Sequence, residues 1–243
     1  YRNRYPEFSS DITSQIRRSL HPLLEKRKEK RILALVFTSD KGLAGALNSN
    51  LLEMGIRFLE QKAEKSQVKL ILLGKKAVVF FNKKDFEVLK SYSGDIQKFT
   101  DKELQEITDH VVHSYIFARS DSVYVVYNEF KSILRPKPTI EKILPIELNE
   151  DLNEHPERSY DWEPRGKTLV KTLLPFYVKN QIQHFYFESI ASEHAARMMA
   201  MENATKNAQD LIKDLTLKMN KIRQASITKE LLEIISAVDA LKK

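Results

Sequence analysis

The chain has 243 residues, 42% of them hydrophobic, a formal charge of +7 and no cysteine. That is the composition of a globular protein of one or two domains, and it excludes disulfides, thiolate metal sites and thiol redox control. No apolar run approaches the ~20 residues that a membrane-spanning helix needs, and the opening YRNRYPEFSS has no apolar signal-peptide core, although the chain does not begin with methionine.

In chain order, residues 9–28 read as a first helix. Ser9, Ser10 and Asp11 are cap candidates, and Ile12, Ile16, Leu20, Leu23 and Leu24 recur at helical spacing, with Pro22 as a kink. The basic run Lys26-Arg27-Lys28-Glu29-Lys30-Arg31 reads as the solvated end of that helix, since cations favour a helix C-terminus. Strands and helices then alternate. The expected elements are a strand at 32–37, a helix at 47–65, a strand at 68–73, a short helix at 76–82 and a strand at 86–91. A helix at 101–119 follows, with Thr100 or Asp101 as cap, then a strand at 122–127. Residues 130–134 and 139–146 read as a closing strand pair around Arg135-Pro136-Lys137-Pro138. The alternation predicts an α/β, Rossmann-like domain with a largely parallel sheet over 31–165. Residues 149–165, NEDLNEHPERSYDWEPR, are polar and acidic and read as a linker or exposed loop.

After Pro175 the remaining 68 residues contain no glycine and no proline. As one helix they would span ~100 Å at about 1.5 Å per residue. Phe187, Ala191, Met198, Met201, Ala208, Ile212, Leu215, Met219 and Ile222 follow a 3-4 rhythm, the seam of a coiled coil. Such a helix needs a partner helix to bury its face.

The strand-to-helix loop TSDKGLAGALNSN (38–50) has the outline of a phosphate cradle. Its glycines, Gly42 and Gly45, match neither G-x-G-x-x-G nor G-x-x-x-x-G-K-[ST]. Lys41 precedes the glycines and Asp40 would repel a phosphate. A tight turn with Asp40, Asn48 or Ser49 as cap is the simpler reading, and no cofactor is expected. His110 and His113 sit three apart on a helix without a third ligand, so no metal site and no catalytic residue is expected. The long helix carries Glu188, Glu193, Glu202, Asp210, Asp214, Glu230 and Glu233, so its charge is mixed rather than the basic stripe of a nucleic-acid binder. Asn220, Arg223, Gln224, Ser226 and Thr228 form a polar belt over little more than two turns. It reads either as a docking collar for surrounding protein or as a solvated face. Three function classes stay in view: a scaffold or transmission protein, a nucleotide-binding enzyme, and a basic coiled-coil nucleic-acid binder.

Four stretches carry a resemblance along the whole chain: SDKGLAGALN (39–48), EPRGKTLVKTLLPFYV (163–178), SEHAARMMAMENATKNA (192–208) and NKIRQASITKELLEI (220–234). With them the chain resembles the gamma subunit of rotary F-type ATP synthases. The resemblance implies a non-catalytic central rotor stalk that couples ion-driven rotation of a membrane ring to the conformational cycle of a catalytic head. The implied partners are the alpha and beta subunits of the head, the epsilon subunit and the c-ring, with no nucleic acid and no direct small-molecule substrate. The implied location is peripheral, on the cytoplasmic face of the bacterial inner membrane or, as the alternative, the mitochondrial matrix face. Carried over by position, Arg223, Gln224, Thr228, Glu230 and Lys41 would meet the head, and Trp162, Glu163, Pro164 and Arg165 would lie at the foot beside the ring. The domains implied are the end of an N-terminal shaft helix (1–30), the Rossmann-like domain (31–165) and the C-terminal shaft helix (166–243). Three departures accompany this. The family's upstream partner helix is missing from the sequence, Ser236-Ala237-Val238 stand where a Gly-Ala is usual, and Ala44 replaces a frequent cysteine.

Overall fold

The computed structural model describes residues 21–94, 96–132, 136–147 and 167–241. By packing, the chain divides into two units, Tyr1–Arg197 and Met198–Lys243. Five strands build the sheet of the first: β1 (Arg31–Phe37), β2 (Gln67–Leu73), β3 (Glu87–Tyr92), β4 (Ser122–Phe130) and β5 (Pro136–Leu144). The helices are α1 (Leu47–Ala63), α2 (Lys75–Phe81), α3 (Asp101–Ile116) and α4 (Lys167–Leu241). The strand order is β3-β2-β1-β4-β5. The first four strands run parallel and β5 is antiparallel to β4. This is the mostly parallel sheet with a long C-terminal helix that the alternation predicts.

The central strands β1, β2 and β4 are largely apolar on both sides because each face is covered, whereas β3 and β5 are partly exposed edges. Leu33, Leu35, Phe37, Ile71, Leu73, Val123, Val125 and Tyr127 point to one face. There they meet Leu104, Ile107 and Val111 of α3 and Val170, Leu174, Val178, Ile182 and Phe185 of α4. Their alternates Ile32, Ala34, Val36, Leu70, Leu72 and Val126 meet Leu51, Leu52, Ile56 and Leu59 of α1 and Ala77 and Phe81 of α2. At the start of α3 the Glu103 carboxylate accepts hydrogen bonds from the Thr100 N–H (2.6 Å) and hydroxyl (2.9 Å), and Thr100, one of the two expected caps, is the N-cap. α4 runs through Pro175 and begins two turns before it. The buried Val170, Leu174 and Val178 hold the helix on the sheet where proline removes one backbone bond.

Two expectations are corrected. Phe130 closes β4 instead of opening a separate strand at 130–134, and β4 itself pairs with β5. Pro136 and Pro138 lie inside β5, which edge position allows because its outer side needs no ladder donor. The second correction concerns the basic run. Residues 22–24 form a single 3₁₀ turn that starts on Pro22, and 25–30 are not helical. The charges of this run are held by tertiary partners. Arg31 pairs with Asp121 at 2.7 Å, and Glu29 accepts from Lys62 (2.7 Å), Tyr124 (2.6 Å) and Lys142 (2.9 Å). The expected helix over 9–20 lies outside the described residues.

Glu29 makes the fold acid-sensitive. Burial opposes ionisation of its carboxyl, and the hydrogen bonds from Lys62, Tyr124 and Lys142 outweigh it, bringing the pKa from 4.5 down to about 2. The folded state therefore binds this proton less readily than the unfolded chain. Its contribution is present above pH 4.5 and is lost as the pH falls toward 2. After allowance for solvent screening it amounts to roughly 1–2 kcal/mol. Glu29→Gln should lower stability by that amount at pH 7 and leave it unchanged near pH 2, measured by urea unfolding across the pH range.

The second unit consists of α4 residues, and every residue from 201 to 237 is exposed. The seam residues from Met201 onward belong to that exposed set, with Ile212 at 64% and Ile222 at 68%. No partner covers them among the described residues.

Candidate functional site

In an open α/β sheet a ligand sits outside the carboxyl ends of the strands, where the strand order reverses. Here that point lies between β1 and β4, because the chain moves from β1 outward to β2 and β3 and then returns to β4 on the other side. The glycine loop leaves β1 at this place, so the nucleotide reading of residues 38–50 can be tested on its geometry.

The loop's polar groups are spent on the protein itself. The Thr38 hydroxyl donates to the Leu73 carbonyl (3.1 Å) and accepts from the Ala77 N–H (2.9 Å). The Ser39 N–H donates to Asn48 Oδ1 (3.1 Å), and Asn48 Nδ2 donates back to the Ser39 hydroxyl (2.8 Å). Asp40 does not cap α1. Its carboxylate accepts from the N–H groups of Lys75 (2.8 Å), Gly94 (3.3 Å) and Ile96 (2.7 Å). It thus supplies from within the negative charge that the start of α2 favours. Gly45 and Leu43 both take positive φ, 56° and 62°, which makes this a tight turn.

α4 closes the crevice from above. The Ser192 hydroxyl donates to the Asn128 carbonyl at the end of β4 (3.0 Å), and the Phe130 N–H donates to Glu188 Oε2 (2.5 Å). Arg197 Nε reaches the Gly42 carbonyl (3.4 Å) while its guanidinium also bonds Glu193. Ser192 is fully buried and Glu193 nearly so. A ligand at the switch point would have to displace these contacts. Sequence reasoning missed Glu188, Ser192, Glu193 and Arg197 as a set. The available signal was the pairs Glu188/Ser192 and Glu193/Arg197, each four apart on one helix face.

The residues singled out from the sequence are not brought together as one site. Lys41 is exposed at the loop, and its carbonyl accepts from the Ser39 hydroxyl at 2.8 Å. Arg223, Gln224, Thr228 and Glu230 all stand exposed on α4. At about 100° per residue, Arg223 and Glu230 share one side, and Gln224 and Thr228 share another roughly 120° round. The Thr228 hydroxyl donates to the Gln224 carbonyl at 2.9 Å, which places the two residues on consecutive turns of one face. Trp162, Glu163, Pro164 and Arg165 lie outside the described residues. His110 and His113 belong to α3, and no group of three or more potential metal ligands occurs among the described residues. No helix among them is long and apolar enough to cross a membrane.

Comparison with known proteins agrees with this geometry. A family model described as ATP synthase matches residues 1–241. The ATP synthase gamma chain of Anaeromyxobacter sp. (strain Fw109-5) is 39% identical over 91% of this chain and 77% of its own length. That of Chlorobaculum parvum is 36% identical over 100% of this chain and 85% of its own. Among solved structures, a chain of the Euglena gracilis mitochondrial ATP synthase OSCP/F1/c-ring aligns with a TM-score of 0.62 at 22% identity, covering 95% of this chain and 87% of that one. A chain of the Tetrahymena thermophila mitochondrial ATP synthase central stalk and c-ring aligns with a TM-score of 0.59 at 23% identity, covering 80% and 86%. These two likenesses bear on the fold, and the sequence matches bear on the family. With the ATP synthase family model matched over residues 1–241 and gamma chains 39% and 36% identical over 91% and 100% of its length, the chain belongs to the gamma chain family of ATP synthase.

Proposed function

We propose that the chain is the central rotor stalk of an ATP synthase, a non-catalytic subunit that couples rotation of the c-ring to the conformational cycle of the catalytic head. The observation that carries this is α4. From residue 201 to 237 it exposes apolar and polar residues on every side, which only surrounding partners can use. Family membership over residues 1–241 supports reading those partners as the alpha and beta subunits of the head. Arg223, Gln224, Thr228 and Glu230 form the collar that the head grips, and Lys41 adds a contact to an acidic surface of it. Trp162, Glu163, Pro164 and Arg165 meet the polar loops of the ring, and the epsilon subunit binds the α/β domain. The protein is peripheral and works on the cytoplasmic face of a bacterial inner membrane. The reading of residues 1–30 as the segment in which one shaft helix ends, with 25–30 already beyond that helix, 31–165 as the α/β domain and 166–243 as the other shaft helix belongs to this proposal. A nucleotide enzyme is disfavoured by the plugged crevice, and a nucleic-acid binder by the mixed charge of α4.

The collar is tested by Gln224→Leu combined with Thr228→Val. Both positions are exposed, so helix stability is little changed. Each lost polar contact costs on the order of 1 kcal/mol. Coupled ATP synthesis in reconstituted vesicles should fall roughly 10- to 30-fold. Unchanged synthesis and unchanged ATP-driven pumping would remove the collar assignment.

A further inference from the structure

The segment that enters β1 is tied down far more firmly than an irregular stretch needs. Leu23 is fully buried in the core, and its carbonyl accepts from the Ile146 N–H at 2.9 Å. Further along, Arg31 and the N–H groups of residues 30 and 31 converge on Asp121. Between these anchors, residues 25–28 have no regular structure. Their fixture is a reciprocal knot with α3. Arg27 Nη1 donates to the Tyr115 carbonyl at 2.7 Å, and the Tyr115 hydroxyl donates to the Glu25 carbonyl at 2.6 Å. The guanidinium lies 4.8 Å from the Tyr115 ring centroid. Its remaining edge bonds Glu25 Oε2 at 3.0 and 2.6 Å. Arg27 is only 17% exposed and Tyr115 is fully buried.

The two kinds of anchor resist different motions. Leu23 opposes being pulled out of the core, but apolar contact is non-directional and gives little resistance to sliding. The knot is directional. It fixes the strap to one turn of α3, near that helix's C-terminal end, through groups about 90 residues apart in the chain. Arginine suits this because its planar fork bonds on two edges and stacks on an aromatic face at once, which lysine does not do. Untied, a link of this kind could extend until it spanned ~3.5 Å per residue before it became taut. In a rotor, that slack would absorb rotation without transmitting it.

We propose that residues 22–31 are a stiff strap, and that Arg27 and Tyr115 are its positioning residues: the knot passes force between the chain before His21 and the α/β domain during rotation. The inference rests on the rotor reading and adds to it a route for the force.

The test uses the complete ATP synthase in vesicles with this chain as its gamma subunit, unaltered or carrying Arg27→Met, Arg27→Lys or Tyr115→Phe. Three quantities are measured: amide hydrogen exchange of residues 25–30, ATP hydrolysis, and ions pumped per ATP hydrolysed. In Arg27→Met, exchange should rise at least tenfold, hydrolysis should stay within twofold, and ions pumped per ATP should fall threefold or more. Arg27→Lys should lie between. A merely structural role would lower the yield of assembled complex without changing ions per ATP. Exchange that rises while ions per ATP stay at the unaltered value overturns the proposal, and so does exchange that does not rise. If Arg27→Met fails to assemble, Tyr115→Phe, which loses only the hydroxyl bond to Glu25, decides by the same criteria. Failure of the unaltered complex to pump while it hydrolyses ATP would instead overturn the rotor reading beneath the strap.

Discussion

Gly74→Ala is expected to destabilise the α/β unit by at least about 3 kcal/mol. Gly74 joins β2 to α2 with φ at 103°, a conformation that L side chains rarely adopt. A Cβ there would stand 2.3 Å from the Thr38 carbonyl oxygen and 2.5 Å from its hydroxyl. Neither can yield cheaply. The Thr38 N–H bonds the Leu73 carbonyl, and its hydroxyl both donates to that carbonyl and accepts from Ala77. Relief would therefore separate β1 from β2 at their carboxyl ends, where the glycine loop is anchored. Denaturant unfolding of the variant measures the cost. By contrast, Gly42 has open space around the Cβ it lacks, so Gly42→Ala should change stability by less than about 0.5 kcal/mol. A loss below about 1 kcal/mol at Gly74 would show that the close approach of Thr38 is not a constraint.

Phe185→Ala should cost about 3–5 kcal/mol. Phe185 is 2% exposed, and its ring centroid lies 4.6 Å from that of Tyr127 on β4. Tyr127 cannot swing into the space left behind without breaking its hydroxyl bond to Glu141 (2.7 Å), so the cavity stays open. Two residues further on, Phe187 is 61% exposed, and Phe187→Ala should change stability by only about 0.5 kcal/mol. The pair separates the two tasks of α4. One stripe fastens it to the sheet, and its neighbour is left for partners. Equal losses at both positions would contradict that division.

The sheet was legible because local pattern and tertiary role coincide in it. ILALVF is apolar at every position because both faces of β1 are covered, and the residue type of Thr100, just before the helical run, marks it as one of two caps for α3. The failures share one cause, which is that the deciding partner lies on another element of the fold, beyond the reach of local pattern. Asn128 and Glu129 look like a break after 127. In the fold they continue β4, because they pair with Pro138 and Lys137 of β5, and the Asn128 carbonyl also accepts from Ser192. The run from Lys26 to Arg31 looks like a charged helix end, while its structure is set by Tyr115, Asp121 and Lys142. Asp40 was readable as a residue hostile to phosphate, but not as the acceptor for three N–H groups 35 to 56 positions away. Of the candidate site, the polar belt on α4 could be read from spacing alone. The closure of the crevice could not, since Arg197 and Gly42 are 155 residues apart.

The rotor account is tested most directly by watching the chain turn. The 243-residue chain has no cysteine, so Lys102→Cys, exposed at the start of α3, provides a single attachment point on it for an optical probe. With the catalytic head fixed to a surface and ATP supplied, the probe should rotate continuously in one direction and stop when ATP is withdrawn. Complexes that hydrolyse ATP at full rate while a probe on this chain stays fixed would contradict the account.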